Sequence, residues 1–260
     1  MDNLYIYSYG LFPFFPNASL QIKKKFLERI VKNIFIKLNT AELQLCLPGL
    51  LSSLIPGLDD NNEEVTRLIY ECFDLLRKID DEKQERNFFG VYWMLLLRNK
   101  HLRNSGIKYL LAKTYNYSFF QSQENKEKQK EIIFNQFPNI NTTIVNVLSE
   151  IIKDSEIQVV RNGLDYIITR LPLSKENTIL NDNAKINLIY DTFYLFIKNE
   201  QSATRRLKSW LISINDTEDE LDFNSDDIKY KMGLIIEAFK IVFKQEKCIE
   251  PDLIKNDILI

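Results

Sequence analysis

The residues of this chain best suited to chemistry are basic side chains in a segment without acids. Residues 87–123 contain no Asp or Glu and carry five cationic side chains, which give the segment a charge of +5: Arg98, Lys100, Arg103, Lys108 and Lys113. Guanidinium groups offer paired donors to phosphate oxygens, and lysine adds a point charge. We therefore predict that the first four of these residues bind a phosphate group at an anionic membrane surface.

The local structure expected of this segment favours the same chemistry. Asn104 or Ser105 is suited to cap a helix, and the backbone N–H groups at a helix start attract anions. We expect reversal of Arg98 and Arg103 to Glu to abolish lipid binding and to leave thermal stability nearly unchanged. The alternative interpretation is a solvated basic loop. A second possible basic site is the run Lys23, Lys24 and Lys25. The alternative interpretation is that these lysines form the solvent-exposed face of an amphipathic helix.

The rest of the sequence lacks the common catalytic, cofactor-binding and metal-binding motifs. The chain has a single His, His101, and it lacks the glycine-rich phosphate loops, Cys-x-x-Cys pairs and His-Glu-x-x-His motif that carry most cofactor and metal chemistry. Its three cysteines, Cys46, Cys72 and Cys248, lie in apolar runs without motif spacing, so we interpret them as reduced, buried thiols. We expect no catalysis, no cofactor and no metal site.

Charge is strongly segregated along the chain. The net charge of −2 argues against a globally basic nucleic-acid-binding protein. Residues 59–85 carry ten acids against four bases, and residues 215–227 carry seven acids and no base. The carboxylate clusters at Asp59-Asp60 and at residues 216–227 are either a docking surface or ordinary solvated surface.

Helical periodicity dominates the pattern of apolar residues. Gly and Pro number only 7 each, which disfavours a turn-rich β fold. Ten amphipathic segments are predicted to be helices: residues 20–38, 41–55, 63–79, 82–97, 105–113, 143–153, 156–171, 184–198, 203–214 and 227–247. Pro48 is expected to break or kink the second helix.

Short connections between consecutive helices predict an all-α fold, an α-solenoid of irregular HEAT- or armadillo-like repeats stacked with a right-handed turn. A compact helical bundle is the alternative. We predict a single domain over residues 1–260, with a polar insertion at about residues 116–141. No apolar run reaches the ~18 residues of a transmembrane helix, so membrane contact is expected to be peripheral. Within the stack, Trp93 and Trp210 are expected to be buried, and Arg206 to pair with an acid on a neighbouring helix.

Four stretches together resemble a known family. They are LYIYSYGLFP at residues 4–13, LIPGLDD at 54–60, VRNGLD at 160–165 and RRLKSWL at 205–211. Their order and spacing are similar to those of the N-terminal domain of the Dopey family, and the resemblance spans residues 4–243. The helices that precede the first stretch in that family and its long C-terminal part have no counterpart here, so we expect a fragment or a truncated relative.

The resemblance implies a membrane-trafficking adaptor or scaffold. Dopey proteins are very large cytosolic proteins, peripheral on Golgi, trans-Golgi and endosomal membranes. The partners it implies are a large Sec7-related Golgi protein, a lipid-flippase ATPase, kinesin light chain and, through the N-terminal region, phosphatidylinositol 4-phosphate. No residue-level lipid motif transfers, so the lipid site above rests on charge and local geometry. A pure protein–protein interaction scaffold without direct lipid binding is the alternative.

Overall fold

The structure is a computed structural model, and it describes residues 10, 12–77, 82–112, 140–176, 179–198, 201–212 and 225–246. Within these residues the fold is all-helical and contains no strand, which confirms the all-α prediction. The ten α-helices of this part are α1 Leu20–Lys25, α2 Thr40–Leu54, α3 Glu63–Arg77, α4 Glu82–Arg98, α5 Arg103–Ala112, α6 Ile140–Ile152, α7 Ile157–Arg170, α8 Asp182–Ile197, α9 Gln201–Ile212 and α10 Asp226–Glu246. Three-residue or five-residue 3₁₀ turns lie at Phe12–Phe14, Phe35–Lys37, Ile55–Asp59 and Lys100–Leu102.

Nine of the ten predicted segments correspond to single helices. The first does not, because α1 passes into a π-helical turn at Phe26–Val31 and then into the 3₁₀ turn at Phe35–Lys37. Most of the predicted insertion lies outside the described residues, but Ile140 and Asn141 already belong to α6. The predicted stretch therefore extended two residues too far.

α2 continues through Pro48, so of the predicted break or kink the break does not occur. The helix starts with a capping box in which the Asn39 side chain accepts from the Glu42 N–H and the Glu42 carboxylate accepts from the Asn39 N–H. Its inner face is fully buried along its whole length, through Leu43, Leu47, Leu50 and Leu54. Burial of four large side chains outweighs the one backbone hydrogen bond that a proline removes.

The helices pack in two alternating series. In one series α2 packs on α4, α4 on α6, α6 on α8 and α8 on α10. In the other, α1 packs on α3, the Ile55–Asp59 turn on α5, α5 on α7 and α7 on α9. The extensive helix–helix contacts therefore join each helix to its next or next-but-one neighbour along the chain.

Aromatic side chains join helices in the core, both within one series and between the two. The Phe73 and Tyr109 rings meet edge to face with centroids 4.9 Å apart, linking α3 to α5. Trp93 on α4 packs against Tyr166 on α7 at 5.6 Å. Trp93 is fully buried and Trp210 nearly so, as predicted.

Among the described residues, one helical stretch has the length and composition of a membrane-spanning helix, although polar residues interrupt its apolar run. Ala41–Asp59, which is α2 with the turn that follows it, is long and apolar enough by length and composition alone. More than half of it, 56%, is buried inside the fold. Core helices share this length and composition, and the packing of α2 on α4 accounts for its apolar face without a membrane.

Candidate functional site

The four predicted lipid-binding residues lie around the corner between α4 and α5. Arg98 ends α4, Lys100 lies in the 3₁₀ turn, and Arg103 and Lys108 belong to α5. The helix starts at Arg103, two residues before the predicted start. Asn104 and Ser105 consequently do not cap it, and their side chains donate instead to the Asp59 carboxylate.

Arg103 points into the protein. Its guanidinium donates to the backbone carbonyls of Leu96 and Leu97 at 3.2 and 3.3 Å, which satisfies the end of α4. It also lies 3.4 Å from Glu150 and 3.9 Å from Asp154, both contributed by the region of α6. Its side chain is 8% exposed and that of Asp154 1%. Arg103 is therefore a structural residue, and the expectation that its reversal would leave stability unchanged is not supported.

Lys100 and Lys108 also have acidic partners from distant parts of the chain. Lys100 Nζ lies 3.4 Å from Asp154 and donates to Ser155 Oγ at 3.2 Å. Lys108 Nζ lies 2.5 Å from Asp59. Both lysines remain partly exposed, so these ion pairs are screened by solvent.

Arg98 has a different environment from the other three. Its side chain is exposed at the end of α4, and His101 is exposed in the adjoining turn. The structure thus brings the four residues to one corner but does not aim them at a common point. Lipid binding by this corner stays a prediction, with Arg98 and Lys100 as its accessible members.

The second basic site is largely occupied by ion pairs. Lys23 donates to Asp60 at 2.7 Å, and Lys24 pairs with Glu64. Lys25 is exposed and carries no described contact. Two of the three lysines therefore join α1 to the start of α3, and only Lys25 projects into solvent.

A hydrogen-bond ladder links three elements of one packing series. Asp59 accepts from Asn104 at 3.3 Å and from Ser105 at 2.5 Å, which connects the Ile55–Asp59 turn to α5. Asn104 in turn accepts from Asn162 on α7 at 2.8 Å. Two of the four stretches singled out in the sequence, residues 54–60 and 160–165, thus meet through one α5 side chain.

The ladder continues to α9. Arg206 pairs with Asp165, which confirms the prediction that this arginine bridges neighbouring helices. Four residues further on, Trp210 donates from Nε1 to the Leu171 carbonyl at 2.9 Å. The stretches at residues 160–165 and 205–211 are therefore joined to each other by an ion pair between α7 and α9.

Two glycines lie where helices approach most closely. A methyl group at Gly163 would enter the volume of the Ile151 side chain on α6, and one at Gly106 would enter that of Leu96 on α4. At both helix crossings an added methyl group would force a neighbouring side chain to shift. The VRNGLD stretch combines this close approach with the two polar contacts of Asn162 and Asp165.

The thiols of the described residues are not suited to nucleophilic chemistry. Cys46 and Cys72 are buried in the core, as predicted, while Cys248 lies outside the described residues. Burial raises the pKa of the Cys72 thiol to about 12, so it stays protonated at neutral pH. Over the same residues, no group of three or more His, Cys, Asp or Glu side chains is arranged to hold a metal ion.

Comparison with known proteins agrees with the resemblance seen in the sequence. The family model described as "Dopey, N-terminal" matches residues 1–216. The chain is 25% identical over 208 residues to the protein DOP1 homolog of Drosophila melanogaster, covering 80% of this chain and 7% of that protein. It is 25% identical over 211 residues to protein pad-1 of Caenorhabditis elegans, covering 81% and 8% respectively.

A fungal relative shows the same relationship. The chain is 22% identical over 236 residues to protein DOP1 of Saccharomyces cerevisiae, covering 78% of this chain and 14% of that protein. The chain thus spans less than a sixth of the length of these curated relatives. Because the family model covers most of its residues, including the LIPGLDD, VRNGLD and RRLKSWL stretches, the chain belongs to the Dopey family and matches that family's N-terminal region.

Proposed function

We propose that this chain is a non-catalytic α-solenoid module of a membrane-trafficking scaffold. The observation that carries the proposal is the alternating packing, in which the extensive contacts join helices that are next or next-but-one neighbours along the chain. Stacks built only from neighbour contacts are typical of HEAT- and armadillo-like repeats, which offer extended surfaces to partner proteins. The ladder from Asp59 through Asn104 to Asn162 supports the same architecture, because it joins successive members of one series.

Membership of the Dopey family supports a site of action on Golgi and endosomal membranes. The partners we propose for this module are a large Sec7-related Golgi protein, a lipid-flippase ATPase and kinesin light chain. The purified chain should bind at least one of them directly in lipid-free solution, as measured by biolayer interferometry. Absence of binding to all three by the folded chain would contradict the scaffold proposal in this form.

The second candidate function is direct binding of phosphatidylinositol 4-phosphate through the edge formed by Arg98 and Lys100. Its support is that both side chains are exposed at the same corner between α4 and α5. One such edge binds a head group weakly, so a useful affinity requires additional anionic lipid or a partner. Binding should also fall with salt, because the Debye length is only ~8 Å at physiological ionic strength.

Liposome flotation tests this second function. The Arg98→Gln, Lys100→Gln variant should lose flotation with vesicles containing phosphatidylinositol 4-phosphate. The matched control is Lys208→Gln with Lys229→Gln, since these exposed lysines remove the same charge elsewhere on the surface. Equal flotation of the two variants would show that the corner has no specific role. If neither the variants nor the parent chain float with these vesicles, the remaining candidate function is a scaffold that binds proteins but not lipid.

A further inference from the structure

The last described helix, α10, is apolar on two faces. One face contributes Leu234, Ile235 and Ala238 to the core. The other carries an exposed stripe whose members are spaced four, three and four residues apart and are 38%, 49%, 46% and 60% exposed: Met232, Ile236, Phe239 and Phe243. This spacing aligns the four side chains along one side of a helix. Only one of the two apolar faces is therefore buried.

The stripe extends onto the neighbouring helix α8. The Phe239 ring stacks on Phe193 with centroids 4.6 Å apart, and Lys185 Nζ donates to the Tyr230 hydroxyl at 3.0 Å. Lys185 precedes Phe193 on α8, and their partners Tyr230 and Phe239 follow in the same order on α10. The two helices therefore run parallel. Ile197, one turn beyond Phe193 and 81% exposed, then lies level with Phe243, one turn beyond Phe239.

The packing series shows why this surface is unusual. Helices α4, α6 and α8 each pack between a predecessor and a successor of the same series. Among the residues that the structure describes, α10 has the predecessor α8 but no successor. A helix in this position exposes the face that its next neighbour would cover, and contiguous exposed apolar patches mark interaction sites.

We propose that residues 249–260 of the same chain dock on this stripe and cover it. They follow α10 directly and are rich in large aliphatic side chains: Ile249, Leu253, Ile254, Ile258, Leu259 and Ile260. The residues after Glu246 can reach up to about 45 Å when extended, whereas the stripe rises only about 16 Å along the helix. The segment is therefore long enough to fold back over the full stripe.

Tethering and charge favour this occupant over a separate molecule. A segment attached beside its binding surface has an effective concentration in the millimolar range. Lys229 and Lys240 lie next to the stripe on the surface of α10, where Lys240 also pairs with Glu237 at 2.6 Å. The segment carries three acids, Glu250, Asp252 and Asp257, against one base, Lys255. Its charge thus complements the edge of the surface that it would cover.

Photocrosslinking in the full 260-residue chain tests the proposal. The photoreactive residue p-benzoylphenylalanine would replace Ile236, and a mixture of ¹⁴N- and ¹⁵N-labelled chains would distinguish contacts within a chain from those between chains. Crosslinks should map to residues 249–260 of the same chain. Crosslinks between labelled and unlabelled chains would overturn the proposal in favour of self-association, and absence of crosslinks to this segment would also overturn it. The same residue in place of the exposed Leu45 on α2 is the position control.

A pair of variants with equal charge completes the test. Leu253→Asp, Ile254→Asp and Ile258→Asp together should reduce the same-chain crosslink at least tenfold while leaving the far-UV circular dichroism unchanged. Lys255→Asp with Asn256→Asp makes the chain more negative by the same three charges but leaves the aliphatic residues intact, so its crosslink should persist. Equal crosslinking of both variants would refute docking through the aliphatic side chains.

Discussion

Asn162 on α7 donates a 2.8 Å hydrogen bond to Oδ1 of Asn104 on α5, and Asn104 donates onward to Asp59. The three polar residues come from segments that are 45 and 58 positions apart in sequence. Two of them belong to stretches by which the sequence resembles the Dopey family. These residue types at these positions therefore have a structural role, since they fix the register between successive helices of one series.

The first prediction concerns the coupling across this hydrogen bond. Asn162 is buried, so Asn162→Ala should lower the free energy of unfolding by about 1–3 kcal/mol, the cost of leaving its partner unsatisfied. A double-mutant cycle with Asn104→Ala, measured by urea denaturation, should give a coupling of at least about 0.5 kcal/mol. The cycle of Asn162→Ala with Leu45→Ala is the control, because Leu45 is exposed on α2. An equal coupling energy in both cycles would contradict a direct hydrogen bond between Asn162 and Asn104.

Arg103 and Arg98 provide a matched pair for the second prediction. Arg103→Met should destabilise the fold by about 3–5 kcal/mol, because it removes the donor to the Leu96 and Leu97 carbonyls and one of the two cations beside the buried Asp154 carboxylate. Arg98→Met removes the same charge from an exposed position and should change stability by no more than about 0.5 kcal/mol. Thermal and urea unfolding would measure both. Equal effects of the two substitutions would show that Arg103 is not structural.

The helices themselves were predictable from the sequence because their signal is local. Apolar residues at a spacing of 3.6 identify an amphipathic helix without knowledge of its neighbours. Arg206 was predictable in the same way, because a basic residue beside core positions such as Leu207 and Trp210 must point along the helix surface toward a neighbour. Its partner, Asp165, was not predictable, since the choice depends on how α7 and α9 are placed.

The acidic partners of the basic corner were not predictable for the same reason. Counting charges along residues 87–123 finds no acid, but Asp59 lies 49 positions from Lys108 and Glu150 lies 47 from Arg103. The acids reach these bases only through the packing of the Ile55–Asp59 turn and α6 on the corner. A local charge count records which residues are near in sequence, whereas the electrostatic field depends on distances in the folded chain.

A third prediction follows from the close approach at Gly163. Alanine is favoured over glycine in a helix interior by about 1 kcal/mol, so an exposed position would gain stability from Gly→Ala. At Gly163 the added methyl group would overlap Ile151, and such overpacking costs about 1–3 kcal/mol. We expect Gly163→Ala to destabilise the protein. Gly233→Ala on α10, where nothing lies within 4 Å of the added carbon, should be neutral or stabilising.

The fourth prediction concerns Trp210 in the RRLKSWL stretch. Trp210→Ala should cost about 3–5 kcal/mol, the usual range for loss of a core aromatic. Trp210→Phe should cost less, because it keeps most of the apolar contact and loses only the hydrogen bond to the Leu171 carbonyl. Urea denaturation would rank the three proteins. A midpoint unchanged by Trp210→Ala would contradict the buried position of this side chain.

The fifth prediction is a dependence of stability on pH that Asp60 contributes. The hydrogen bond from Lys23 to Asp60, at 2.7 Å, holds the pKa of this carboxyl below its ordinary value, and a second bond from the Asn62 N–H acts in the same direction. In the unfolded chain the carboxyl titrates near its reference pKa of about 3.9. The folded state thus binds the proton more weakly, and Asp60 contributes stability above about pH 4 that is lost as the pH falls through its folded pKa.

Asp60→Asn tests this sign, because asparagine retains an acceptor for the Asn62 N–H but cannot carry the charge. The variant should be less stable than the parent chain at pH 7, and the difference should shrink toward the acid range as the parent carboxyl becomes protonated. Urea denaturation at pH 7, 5 and 3.5 would measure the free energy of unfolding of both proteins. Glu28→Gln, at an exposed position of the π-helical turn, controls for loss of one negative charge. A stability difference for Asp60→Asn that stayed constant from pH 7 to pH 3.5 would show that the ion pair with Lys23 does not contribute to folding.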